Sequence, residues 1–152
     1  MKDNFKAGGV QFDVQKGLVE ANLNTALGYL EELASKNVSL AVLPEMFSCS
    51  FDNENVSVHA KSMDKVLERL CSFAGKNRMA IAGSLPEKKQ GRIYNTMVFI
   101  DMDGHLKGNY RKLHLFPLTG EHLYYAAGNK IATIDSSFGR IGLMTCCFPG
   151  CP

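Results

Sequence analysis

The sequence predicts an α/β fold with helices packed on a mainly buried sheet. Two patterns carry that reading. Stretches whose apolar residues recur at helical spacing alternate with short, almost unbroken apolar runs of the kind found in strands covered on both faces. The elements also come in the order β-α-β-α-β-β-β, followed by two more strands. Composition agrees: 152 residues, 45% hydrophobic and 21% charged, describe one globular domain rather than a disordered chain.

Residues 6–12, KAGGVQF, read as a short strand weakened by two glycines. In 18–35 the apolar positions Leu23, Ala26, Leu27, Leu30, Leu33 and Ala34 form one face of an amphipathic helix, ended by Lys36 and Asn37. Residues 38–43, VSLAVL, form a buried-type strand, and Pro44 stops its ladder by removing a donor. After a polar stretch, 50–57, a second helical face runs through Met63, Val66, Leu67, Leu70, Cys71 and Ala74. Residues 79–85 read as another buried strand. The β-branched and aromatic run 93–100 is joined to 106–112 by the tight turn Asp103-Gly104. Strands at 131–134 and 141–145 complete the series.

Charge and targeting signals narrow the function classes. Seventeen basic and fifteen acidic residues leave a formal charge of +2, which gives no reason to expect nucleic acid or an acidic membrane surface. The N-terminus lacks a signal-type apolar region and no later run reaches the length of a membrane span, so a soluble cytoplasmic protein is expected. Five cysteines, with Cys49 and Cys71 isolated in the interior, do not suggest a secreted disulfide framework. The cluster Cys146-Cys147-x-x-x-Cys151 departs from the usual C-x₂₋₄-C zinc spacing and has no histidine close behind it, so no metal is expected.

Three chemically complementary residues each come directly after a strand: Glu45 in LPEMF, Lys112 in YRKLHLF and Cys146 in GRIGLMTC. Singly, each has a plainer reading, as a solvated glutamate, one of a basic pair on an outer face, or a small buried hydrophobe. Together they fall where sites gather in open α/β sheets, beyond the carboxyl ends of strands. A base beside a thiol raises its thiolate fraction, and a fixed ammonium favours the oxyanion formed on an attacked carbonyl.

These three motifs, in this order, resemble those of the nitrilase (carbon–nitrogen hydrolase) superfamily. IYNTMVFIDMDG, LTGEHLYYAAGN and VQFDVQKGLVEANL resemble supporting stretches of the same family, so the likeness covers nearly the whole chain. The resemblance implies a four-layer α-β-β-α sandwich and cofactor-free hydrolysis of a small amide or nitrile through a thioester. It assigns Glu45 as general base, Lys112 as stabiliser of the tetrahedral intermediate and Cys146 as nucleophile, with Glu121 beside the lysine and substrate. RKLHLFPLTGEHLYYAAG is most similar to the ω-amidase-like branch, whose substrates are small amides of dicarboxylic acids. Members of the family often form homo-oligomers. Tyr94 and Asn95 are expected to support the strand and the glutamate loop, and His114 and His122 to be structural.

The likeness fails after Cys146, where Phe-Pro arrives too early and the family's aromatic-acidic pattern is missing. Family members continue with further strands and helices. The expectation is therefore a single truncated domain spanning 1–152, a partial sandwich lacking its C-terminal part. A fragment or frameshift is favoured over a genuine short protein, since a half-built sandwich leaves strand edges and an apolar face open. The alternative function is an inactive half-domain that acts through a partner.

Overall fold

The computed structural model describes residues 4–145, with the backbone alone at Thr119; Cys146, Cys147 and Cys151 lie outside the described residues. β1 (Ala7–Gly9) leads into α1 (Val19–Ser35) and then β2 (Leu40–Val42). Short helical turns, including α2 (Val56–His59), precede α3 (Met63–Asn77). β3 (Ala80–Lys89), β4 (Arg92–Ile100) and β5 (Leu106–Arg111) follow as a meander. A 3-10 turn at Pro117–Thr119, the short α4 (Glu121–Tyr124), β6 (Ala132–Ser136) and β7 (Gly139–Leu143) complete the order.

Strands β1 to β5 lie side by side in sequence order. β1–β2 and β2–β3 are parallel, each joined by a crossover helix, whereas β3–β4 and β4–β5 are antiparallel. β6 and β7 form a separate antiparallel pair. Strand alternation sorts the core into two layers. Ile81, Leu85, Val98 and Ile100 face Leu23, Ala26 and Leu30 of α1 and Val66, Leu70 and Ala74 of α3. Ala80, Ala82, Phe99 and Tyr110 point the other way and pack with Leu143, Ile134 and Ile141 of the β6–β7 pair. Burying Leu23 and Leu30 almost completely contributes about 2 kcal/mol for each side chain. The described residues thus supply a helix layer, a five-stranded sheet and a second sheet on its far face.

The structure extends the sequence reading at three places. β3 does not stop near Leu85 but pairs with β4 as far as Lys89↔Arg92. The two-residue loop between them, Gln90-Gly91, has φ of 49° and 77°, the left-handed pair that a type I′ hairpin needs. Pro86 is tolerated because β2 pairs only with Ala80, Ile81 and Ala82, so further along β3 has β4 alone as a strand partner. The helical turns of 53–62 and 117–124 are too short to show periodicity in sequence. Finally, Val42 of the buried-type run is 39% exposed. It lies in an apolar groove of about 300 Å³ with Leu40, Met97, Phe99, Ile141 and Met144, where the two-stranded sheet covers the larger one incompletely.

Candidate active site

Glu45 stands three residues beyond β2, at the mouth of a loop whose residues Met46, Phe47, Ser48 and Cys49 are all buried. A loop can be buried only if its backbone groups find partners. The carbonyl of Met46 accepts from the amides of Cys49 (3.2 Å) and Ser50 (2.8 Å). Asn22 of α1 donates to the Ser48 carbonyl at 2.9 Å, and the Gly17 amide donates to the Cys49 carbonyl at 3.0 Å. Met46 has φ of 51°, a left-handed conformation that costs a non-glycine residue about 1–2 kcal/mol. Such strain persists where the surroundings over-determine it.

Lys112 follows β5 directly, and its ammonium lies between two carboxylates. Nζ donates to Glu45 Oε1 and to Glu121 Oε2, both at 2.9 Å. Asn95 of β4 joins the same groups: Nδ2 donates to Glu45 Oε1 at 2.7 Å and to Glu121 Oε1 at 3.2 Å. Its carbonyl accepts from the backbone amide of Lys112 at 2.9 Å. The Phe116 amide donates to Glu121 Oε2 at 2.7 Å. Two carboxylates toward Nδ2 settle which way the Asn95 amide faces, because the reverse would set oxygen against oxygen. Gly128 closes the other side of this strand end. Its amide donates to the Lys112 carbonyl at 2.8 Å, and a Cβ there would collide with the Arg111 carbonyl.

The two carboxylates differ in exposure. The Glu121 side chain is fully buried and the Lys112 side chain 4% exposed, whereas that of Glu45 is 25% exposed. Both hydrogen bonds to Glu45 land on Oε1, and Oε2 takes part in neither. Burial pulls the Lys112 pKa down, but the hydrogen bonds to Glu121 and Glu45 outweigh it, so the ammonium holds its proton beyond the usual lysine range. One cation shared by two carboxylates is thus stably charged at neutral pH.

Below this cluster, Glu87 braces three strands. It accepts from Arg111 Nε and a second guanidinium nitrogen at 2.7 and 2.8 Å, and from Thr96 Oγ1 at 2.8 Å. The Arg111 guanidinium also lies 4.5 Å from the centre of the Tyr94 ring. The Arg111 hydrogen bonds hold the Glu87 pKa below the ordinary carboxylate value, against the opposing effect of burial. Glu87→Gln is expected to cost about 2 kcal/mol at pH 7. A carboxylate depressed on folding contributes stability above its unfolded pKa and loses it as pH falls through the folded value. The gap between native and variant protein in urea unfolding should therefore close below about pH 4.

The structure brings together Glu45, Lys112 and Glu121 and places Tyr94 and Asn95 as supports. Cys146 lies outside the described residues; the preceding Thr145 is buried, and its Oγ1 has no partner among them. His114 and His122 are exposed, and His114 lines a cavity with Tyr110, Leu113 and Thr145. Cys49 packs with Met46, Val56 and Tyr125, and burial pushes its thiol up to about 11, despite a bond from Ser48 and with a small contribution from Asp52. It is a core cysteine at neutral pH. Sequence reasoning missed Asn22 and Ser84, whose contacts reach 26 and 38 positions along the chain and leave no local pattern. Among the described residues no cluster of His, Cys, Asp and Glu could hold a metal ion, and no helix is long and apolar enough to cross a membrane.

This architecture has known counterparts. A crystal structure of a carbon-nitrogen hydrolase from Helicobacter pylori G27 superimposes with a TM-score of 0.85 at 26% identity, covering 93% of this chain and 51% of that one. Saccharomyces cerevisiae Nit3, of the nitrilase superfamily, superimposes at 0.80 with 27% identity, over 91% of this chain and 54% of its own. The 2-oxoglutaramate amidase of Bacillus subtilis is 34% identical over 125 residues, which are 80% of this chain and 47% of the relative. The chloroplastic omega-amidase of Arabidopsis thaliana is 32% identical over 139 residues, 82% of this chain and 38% of the relative. The chain therefore spans about half the length, or less, of these relatives. The profile of the family described as carbon-nitrogen hydrolase matches residues 6–147, from the first strand to the motif at the end of β7, and the chain belongs to that family.

Proposed function

We propose that this chain carries the Glu-Lys-Cys centre of a hydrolase for non-peptide C–N bonds, converting a small amide to a carboxylate and ammonia. The observation that supports it most is the ammonium of Lys112 held between buried Glu121 and partly exposed Glu45. In this reading Oε2 of Glu45 takes the thiol proton of Cys146, and the thiolate attacks the carbonyl carbon. Lys112 stabilises the negative charge that builds on oxygen. The C–N bond breaks as Glu45 returns the proton to nitrogen, and ammonia leaves a thioester. Glu45 then deprotonates a water that attacks the thioester, the C–S bond breaks, and the thiol regains its proton. Glu121 positions Lys112 and borders the substrate. No step calls on a metal or organic cofactor.

The names of the relatives, an omega-amidase and a 2-oxoglutaramate amidase, favour a monoamide of a dicarboxylic acid over a nitrile. The remaining proposals are one domain over 1–152, a cytoplasmic location, a homo-oligomeric assembly, and no nucleic-acid or membrane partner. Purified protein should release ammonia from such an amide, and Cys146→Ala should abolish the release. Release that survives the substitution would exclude the assignment.

A second reading rests on the groove beside β7, where Val42 and Met144 are 39% and 75% exposed. The chain would then be an inactive half-domain that covers this apolar surface with a partner. It predicts binding of a hydrophobic dye and no turnover; a dye-silent monomer that releases ammonia would rule it out.

A further inference from the structure

Ser84 lies outside the carboxylate–lysine cluster, yet it grips the chain one residue past Glu45. It is 1% exposed, and its Oγ accepts from the Met46 amide at 2.8 Å. The β2–β3 ladder makes its last backbone bond when the Leu43 amide donates to the Ala82 carbonyl at 2.8 Å. Pro44 has no donor to continue it. Beyond it the Ser84 hydroxyl accepts from the Met46 amide, so β3 holds the chain on both sides of Glu45, by a carbonyl before it and by a side chain after it.

Geometry makes the second grip act on Glu45. The peptide unit joining Glu45 to Met46 is planar, so a hydrogen bond on the Met46 amide sets the orientation of that plane and with it ψ of Glu45. The adjoining φ of Met46 is in the left-handed region, which a methionine does not favour unaided. Gly83 lets the chain come this close: a Cβ there would lie 3.0 Å from Leu43 Cβ and 3.3 Å from Phe47 Cδ1. By alternation Ser84 shares a sheet face with Ala80 and Ala82, and its register partner is Met97, two residues along β4 from Asn95 on the same face. The backbone of Glu45 and its carboxylate are therefore held from one surface, by Ser84 and Asn95 respectively.

We propose that Ser84 is the positioning residue of Glu45, orienting through the Met46 amide the carboxylate that meets Lys112. Its kinetic consequence rests on the amidase reading; its structural consequence does not. The test uses the full chain as Ser84→Ala and Ser84→Thr. Three readouts are followed: Met46 amide exchange, the side-chain carboxyl ¹³C resonance of Glu45, and kcat and KM for a small dicarboxylic monoamide. Ser84→Ala should speed Met46 exchange, move the Glu45 resonance, and lower kcat by about thirtyfold with KM within about twofold. Ser84→Thr, which keeps the hydroxyl, should return all three toward the native values.

Faster Met46 exchange with an unmoved Glu45 resonance would overturn the proposal, because Ser84 would then hold the loop without orienting the carboxylate. Unchanged kcat in an active protein would overturn it as well. If native protein releases no ammonia, the amidase reading fails by itself, and the Glu45 resonance in the two variants decides this one. If Ser84→Ala does not fold, Ser84→Cys, whose sulfur is a weak acceptor, takes its place in the same measurements. A moved Glu45 resonance then supports the proposal, and an unmoved one overturns it.

Discussion

Lys112→Met is expected to lower the unfolding free energy by about 3–5 kcal/mol and, on the proposed amidase function, to abolish ammonia release. Methionine fills the space of the stem but leaves Glu45 and Glu121 facing each other with no cation between them. Asn95 can still donate to both, but a single amide does not offset two adjacent like charges, one of them fully buried. The pH dependence should keep its sign but move to a lower pH range. In the native protein the Lys112 pKa is raised above the ordinary lysine value, so its contribution is complete at neutral pH and fades only as pH rises through the folded value. In the variant one carboxylate has to take up a proton, so folding becomes coupled to protonation and stability should recover as pH falls from about 8 to about 5. Denaturant titrations at the two pH values check this. A variant as stable as the native protein at the higher pH would show that the cluster is not held together by charge.

Removing the opposite partner should be nearly as costly but separable in its consequences. Glu121 is fully buried and accepts from Lys112, Asn95 and the Phe116 amide. Glu121→Ala leaves these donors short of an acceptor and opens a cavity; a loss of about 3–4 kcal/mol is expected. Glu121→Gln keeps an oxygen for Lys112 and Phe116, but its amide nitrogen would face Asn95 Nδ2. Asn95 Oδ1 has no partner among the described residues, so turning the Asn95 amide over relieves the clash. That turn replaces the bond from Asn95 to Glu45 with an oxygen facing Glu45 Oε1, which pushes the Glu45 carboxylate away. Glu121→Gln should therefore cost only about 1–2 kcal/mol while kcat falls by about tenfold or more. Equal losses of stability for Ala and Gln would show that Glu121 acts only by filling space.

Much of this arrangement is legible from local pattern. The face Leu23, Ala26 and Leu30 is the face α1 buries, and Val66, Leu70 and Ala74 do the same for α3, because helical burial follows a period that sequence displays directly. Glu45 and Lys112 are legible for another reason: each stands just beyond a strand, and a strand end is a rigid mount. Asn95 reads as a support in the sequence, but its bond to both carboxylates depends on β4 lying between β3 and β5, with its amide toward the loop after β2. Ser84 and Asn22 show no periodic signal, since each meets the Glu45 loop across more than twenty residues of sequence. The hairpin at Gln90-Gly91 is silent in the sequence because a Lys-Lys-Gln-Gly stretch carries neither apolar alternation nor the usual Asn-Gly turn.

Local pattern along the chain is thus enough for the order and type of the main elements, the helix faces that bury, and the positions of Glu45 and Lys112, because these follow from periodicity and from residues adjacent to strand ends, whereas Glu121 is reached only through the family resemblance. Which of these groups meet, and how they divide the work, is settled by long-range packing alone. Packing sets one ammonium between two carboxylates, buries Glu121 fully, leaves Glu45 partly open, and gives Asn95 and Ser84 their tasks. Those outcomes depend on distances between segments far apart in the chain, and such distances exist only once the sheet has assembled.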